Sequence, residues 1–243
     1  SRDLMQYIML RELLITKLEN AHDEKESFFH NYIMKMNSSW NKNNSDYIHL
    51  NSPNLWIFDE RFMSYQQAFS DKSIGNIFRN LDKPDMRESI LNDGRPDIFI
   101  LLSKEYEEDK SADVVIIELK NRQGDKAHVS SLQAEMGERI RAIHEHHNPS
   151  VRRVFTFSIL EINDKVKTAL EISGYRELHG HSEYFYKYDI VGLMNNSSLN
   201  VVYNILSWNA VINDARLRNN TFMDVLKNSI KTFSFDEIPP ELS

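Results

Sequence analysis

The chain has 243 residues, no cysteine, and 29 basic against 36 acidic side chains, a formal net charge of −7. A hydrophobic fraction of 41%, with 11% aromatic residues, supplies enough apolar material for a core and excludes a disordered or fibrous chain. The missing cysteines remove disulfide frameworks, cysteine-ligated zinc and thiol nucleophiles together, and the excess acid argues against a nucleic-acid binder that uses its whole surface.

No run of about 18 apolar residues occurs, so no transmembrane helix and no membrane partner are predicted. Asp3, Arg11 and Glu12 interrupt the one apolar stretch near the start, which does not read as a signal peptide. These features predict a soluble, cytoplasmic protein. The chain opens on Ser1 inside a helical pattern. Residues 1–22 read as a helical extension or linker from an upstream domain, 23–235 as the main domain and 236–243 as a tail.

Leu4, Ile8, Leu10, Leu13, Leu14 and Leu18 recur at helical spacing, with Asp3 as a candidate N-cap. A second helix is predicted from Asp23 to Met36, then a long Asn/Ser-rich loop from Asn37 to Asn54. A short apolar segment, Asn54–Leu55–Trp56–Ile57–Phe58, leads into helix-like residues up to Phe69. Past Arg95–Pro96, the runs Asp97 to Leu102 and Val114 to Ile117 read as a hairpin of buried strands. There follow a helix from His128 to His147, a strand at 152–160 and a helix at 163–173 stopped by Gly174. A hairpin around Gly180, a strand at 199–206 and a helix at 208–229 complete an α/β pattern with one central sheet and helices on both faces.

The informative constellation is Asp97 at the start of one strand and Glu118–Leu119–Lys120 at the end of the next. Residues i and i+2 of a strand share a face, so Glu118 and Lys120 point the same way from a buried strand, where charge must be paired or metal-bound. Two carboxylates with open positions suit Mg²⁺ or Mn²⁺. Such an ion would acidify a bound water and stabilise charge on a phosphate, the chemistry of phosphodiester hydrolysis, with Lys120 orienting or helping to deprotonate the water, or neutralising the transition state. The competing reading is a structural ion pair at a strand end.

Pro96–Asp97, a hairpin and Glu118–Leu119–Lys120 followed by a helix resemble the PD-(D/E)xK nuclease superfamily of restriction endonucleases and RecB-type exonuclease domains. The resemblance implies a restriction-endonuclease-like core, a central mixed β-sheet flanked by helices, with the N-terminal helical extension added. It implies metal ligation by Asp97, Glu118 and the Leu119 carbonyl, with Lys120 acting on the water. Glu26 in Glu26–Ser27–Phe28–Phe29–His30 matches the carboxylate that members carry on the helix before the sheet. Gln133 matches the glutamine of Gln-x-x-x-Tyr and would position Lys120 or the substrate, although Gly137 stands where the tyrosine is expected.

A collinear set is similar to a narrower type. It comprises Asn54 to Arg61, Ser70–Asp71–Lys72, Tyr184–Phe185, Ser207–Trp208, Asp214–Ala215–Arg216 and Arg218–Asn219. This type is the carboxy-terminal nuclease-like domain of bacterial proteins with an amino-terminal GHKL-type ATPase domain, many suspected of anti-phage defence. The resemblance implies DNA as substrate, with RNA not separable, an ATPase upstream in the same polypeptide and a homodimer. A catalytically inactive module for nucleic-acid binding, dimerisation or regulation of the ATPase is the rival reading.

Arg95, Lys104, Arg122 and Lys126 flank the proposed site and are candidate phosphate contacts; Lys110, Arg139, Arg141, Arg152 and Arg153 lie in the same segments. The cluster His144–Glu145–His146–His147 splays around a helix and reads as a solvated helix end rather than a metal site. His30, one turn after Glu26, reads as a core residue or as support for a ligand. Asp59–Glu60–Arg61 reads chiefly as a structural ion network, Asp214 and Arg218 as an i,i+4 surface pair, Trp208 as a core anchor, and Tyr184 to Tyr188 as a packed strand.

Overall fold

The computed structural model describes residues 2–21, 24–41, 53–65, 67–82, 94–103, 112–120, 127–146, 151–192 and 198–232. Among them, strands β1 (Ser39–Asn41), β2 (Gln67–Ser70), β3 (Ile98–Ser103), β4 (Ala112–Leu119), β5 (Val151–Ile159), β6 (Arg176–Glu177), β7 (Tyr184–Gly192) and β8 (Ser198–Leu206) form one sheet. Its order is β1-β2-β3-β4-β5-β8-β7-β6. Pairing is parallel from β4 through β5 to β8 and antiparallel on both flanks. The protein is therefore α/β with a central mixed sheet. The helices are α1 (Arg2–Glu19), α2 (Glu26–Ile33), α3 (Ile74–Asp82), α4 (Ala127–His146), α5 (Asp164–Ile172) and α6 (Trp208–Thr232), and none of the described helices is long and apolar enough to cross a membrane.

The near-continuous apolar run of β4 reflects burial on both faces. Val115, Ile117 and Leu119 join Ile15, Leu18, Phe29, Trp56 and Trp208 in a core under α1, α2 and α6. Val114 and Ile116 point the other way, into a core with Ile77, Leu132, Ile140 and Val166 from α3, α4 and α5. The charged residues that end β4 therefore emerge from a strand with no solvent on either side.

Several elements depart from expectation. The helix-like stretch before Phe69 is a 3-10 turn, Glu60–Ser64, followed by β2, and the predicted loop begins with β1. No element was predicted where α3 stands, and the second helix is Glu26–Ile33, shorter at both ends than 23–36. Most of the loop, Lys104, Arg122, Lys126, His147 and the 236–243 tail lie outside the described residues. In α1 the inward stripe is Ile8, Arg11, Ile15 and Leu18, while Leu4, Leu10 and Leu13 are exposed. Packing accounts for Phe185 and half-buried Tyr184 but not for Tyr186 and Tyr188, which are 36% and 58% exposed. The hairpin around Gly180 is present as β6 and β7, with Gly180 at φ +85°, a conformation that L side chains rarely adopt.

An ion network ties α1 and α6 to the segment after Asn54. Buried Arg11 contacts Glu60 and lies 4.0 Å over the Trp56 ring. Arg218 donates to the carbonyls of Trp56 at 2.9 Å, Ile57 at 2.8 Å and Phe58 at 3.3 Å, and pairs with Asp214 at 2.8 Å. Arg216 holds Glu12 and Glu19, and Asn219 holds Glu12. The guanidinium of Arg218 satisfies carbonyls that a 3-10 turn leaves without partners. Arg218→Ala should cost about 3 kcal/mol in urea unfolding, whereas Lys227→Ala on exposed helix surface should stay within about 0.5 kcal/mol. Equal midpoints for the two variants would remove Arg218 from the framework.

Candidate metal centre

Helices α2 and α4 both send side chains to the place where β2 ends, β3 begins and β4 ends. Pro96 keeps the chain extended into β3. The β3–β4 ladder stops at Ile98↔Ile117, so the amide of Leu119 has no strand partner on that side; Asp97 Oδ2 accepts it at 2.6 Å. On the other side the ladder continues, with the Lys120 amide donating to the Ile159 carbonyl at 2.8 Å. The Leu119 position is thus fixed by backbone on one strand and by the Asp97 carboxylate on the other.

Asp71 follows β2 with φ +53°, in the left-handed region that aspartate tolerates better than most residues. Its amide donates to the Asp97 carbonyl at 3.1 Å, and its Oδ2 accepts from the Asn37 amide and the Ser70 hydroxyl, each at 3.2 Å. From α2, His30 is 2% exposed, and its Nε2 lies 2.9 Å from Ser70 Oγ and 4.0 Å from Asp71 Oδ2. His30, Asp71 and Asp97 each bring one ligand atom to within 4.8 Å of the others, and among the described residues no other such group of three is formed. An imidazole and two carboxylates converging in this way fit a divalent cation, and the nitrogen ligand suits Mn²⁺ better than Mg²⁺.

The motif on β4 is engaged by α4. Glu118, 2% exposed, contacts Arg139, and Lys120 Nζ donates to Glu135 Oε2 at 3.0 Å. Glu118 and Lys120 do share a face, as their spacing predicts, and that face meets α4. The carboxylate that shares the cluster with Asp97 is therefore Asp71, while Glu118 is taken up by an arginine. Gln133 lies by the Tyr175 hydroxyl, whose burial-raised pKa it pulls down. It sits two residues, about 200° of helix rotation, from Glu135. The partner of Lys120 is accordingly Glu135 and not Gln133.

Electrostatics bind these groups together. Burial raises the carboxyl of Asp97; the Leu119 amide, His30 and Lys120 pull it down, and Asp71 pushes it up. Burial, then the charge of Asp97, raises Glu26 at the first turn of α2; Lys120 opposes this, and Asp71 and Glu135 add to it. Burial and Asp97 push Glu118 up to about 7 against the pull of Arg139. Burial disfavours the charge on Lys120, but Glu135, Glu118 and Asp97 outweigh it and hold its pKa above the usual lysine value. Glu26 therefore belongs to the same field as Asp97 and Asp71, although it is not one of the three groups that converge.

Of the candidate phosphate contacts, Arg95 is exposed two residues before Asp97. Arg152 and Arg153 both pair with Asp113, at the opposite end of β4 from Glu118. His30 and Asp71 as ligands were not legible by spacing, since 41 positions separate them; the signal available was a histidine one turn from Glu26. Comparison of the chain with protein-family models, with curated proteins and with solved structures finds no match.

A raised native carboxyl binds a proton that the unfolded chain releases, so its stabilisation is present below the unfolded value near 4.5 and is lost as pH rises. The metal-free protein should lose stability between about pH 4.5 and pH 7, at up to about 1.4 kcal/mol per pH unit for one proton. Glu118→Gln should flatten that slope in EDTA. A midpoint that climbs across this window in the unaltered chain would contradict the assignment.

Proposed function

We propose that the chain is a metal-dependent phosphodiesterase domain of restriction-endonuclease-like type, acting on DNA. The observation that carries this reading is the meeting of His30, Asp71 and Asp97 around one point, with Lys120 and Glu26 in the same electrostatic field. Mn²⁺, or less favourably Mg²⁺, held by the three would acidify a water and stabilise charge on the phosphate.

The side chains divide the remaining work. Lys120 is held charged by its carboxylate neighbours, so it donates a hydrogen bond to a phosphate oxygen or to the water and does not act as the base. Glu26, whose carboxyl is raised by burial and by Asp97, accepts the proton. Arg95, exposed beside the site, contacts the phosphate backbone. In this reading the domain is the effector of a bacterial defence protein with an ATPase upstream. One observation favours the alternative of an inactive, nucleic-acid-binding module: Glu118 of the motif is already neutralised by Arg139.

Purified protein with Mn²⁺ should nick or linearise supercoiled plasmid and stop on addition of EDTA. Asp97→Asn should abolish cutting, and Lys120→Ala should slow it by about 10²–10³-fold. Rates should be higher in Mn²⁺ than in Mg²⁺, and His30→Ala should narrow that difference. Cutting of RNA in place of DNA would change the substrate class, while retention of plasmid in a gel without cleavage at any metal concentration would favour the inactive module. Undiminished cutting by Asp97→Asn would refute the reading.

A further inference from the structure

The two motif residues on β4 are locked by two residues one turn apart on α4. Glu118 and Lys120, at i and i+2 of the strand, meet Arg139 and Glu135, at i+4 and i of the helix, with signs crossed. Arg139 is 8% exposed, an unusual degree of burial for an arginine, and Glu118 is more deeply buried still. The slot for the guanidinium extends to Gly94, in the segment that delivers Asp97. A Cβ at Gly94 would run into Arg139 Nη1, and Gly94 has φ +63°. The bare backbone there leaves room for the guanidinium.

Charge gives this arrangement a purpose. Glu26, Asp71, Asp97, Glu118 and Glu135 act on one another at this end of the sheet, and Lys120 and Arg139 are the fixed cations that face them, His30 being the remaining titratable neighbour. Lys120 pairs with Glu135 and Arg139 with Glu118, while Asp71 and Asp97 converge with His30. Nucleases that bind two ions use the second to neutralise a carboxylate and the departing oxygen.

We infer that Arg139 is a protein-supplied cation in the place of a second metal. It pairs with Glu118 and restricts the centre to one divalent ion, held by His30, Asp71 and Asp97. Arg139 is thus a positioning residue that sets metal stoichiometry. The inference rests on the proposed metal centre.

The test is Mn²⁺ titration of the full chain by calorimetry, with free Mn²⁺ counted by electron paramagnetic resonance. The unaltered chain should bind one Mn²⁺. Arg139→Gln, which frees Glu118, should bind two, and Arg139→Lys should return the count to one. Glu118→Gln removes the buried carboxylate and provides a second measurement should Arg139→Gln fail to fold; it should bind one Mn²⁺ with affinity within about twofold of the unaltered chain. A single site in folded Arg139→Gln, two sites in the unaltered chain, or a tenfold loss of affinity in Glu118→Gln would overturn the role given to Arg139. Absence of Mn²⁺ binding by the unaltered chain would overturn the metal centre itself, and the inference with it.

Discussion

Five carboxylates gathered at one end of a sheet buried on both faces are the constraint on which the rest of the site depends. Burial raises Glu26, Asp97 and Glu118 before any neighbour does, and Asp97 adds to the rise of Glu26 and Glu118. Left alone, such a cluster would stay partly protonated at neutral pH and hold a cation poorly. The crossed pairs between β4 and α4 remove two of the five from the contest. They let the remaining charge concentrate between α2, the end of β2 and the start of β3, where imidazole nitrogen is also available. A helix packed for ordinary hydrophobic reasons, through Leu132, Met136 and Ile140, thereby decides which acids remain for an ion.

The same distinction separates motif from site elsewhere. Asn54 to Arg61 and Asp214 to Asn219 are the most distinctive stretches of the chain, yet their charged side chains spend themselves on one another. Glu60 is taken by Arg11 and Arg218, Asp59 by Arg61, and Arg216 by Glu12 and Glu19. Their product is a rigid junction of α1, α6 and the 3-10 turns, which backs the core holding Phe29 and hence the helix that carries Glu26 and His30. Phe29 packs on Trp208 with ring centroids 4.4 Å apart, and the Trp208 indole donates to the Lys120 carbonyl at 3.4 Å. Distinctive residues far from the chemistry can therefore still fix where Lys120 begins.

What was legible in the sequence follows from the range of the interaction. The β3–β4 hairpin and the common face of Glu118 and Lys120 depend on alternation within one or two strands, and both are present. Short β2 was hidden because four residues cannot display a period, and its pairing with β3 is what brings Asp71 to Asp97. Arg139 looked like one more surface cation because helix charge is usually solvated; only the packing of α4 on β4 shows it buried. Gln133 and Glu135 are near neighbours in sequence, and helix rotation sends them to different partners, which no motif spacing could decide without the helix phase.

That phase bears on the chemistry itself. Lys120, paired with Glu135 and kept cationic by Glu135, Glu118 and Asp97, offers a hydrogen-bond donor and no proton acceptor. In the proposed reaction the proton passes to Glu26, which is not among the three groups that would hold the ion. Glu26 stands in the first turn of α2, where the helix dipole favours its anion, yet burial and Asp97 together outweigh the dipole and raise its carboxyl. In the proposed centre a cation at Asp97 would weaken the push on Glu26, so ion binding and the charge on Glu26 would be electrostatically coupled between β3 and α2.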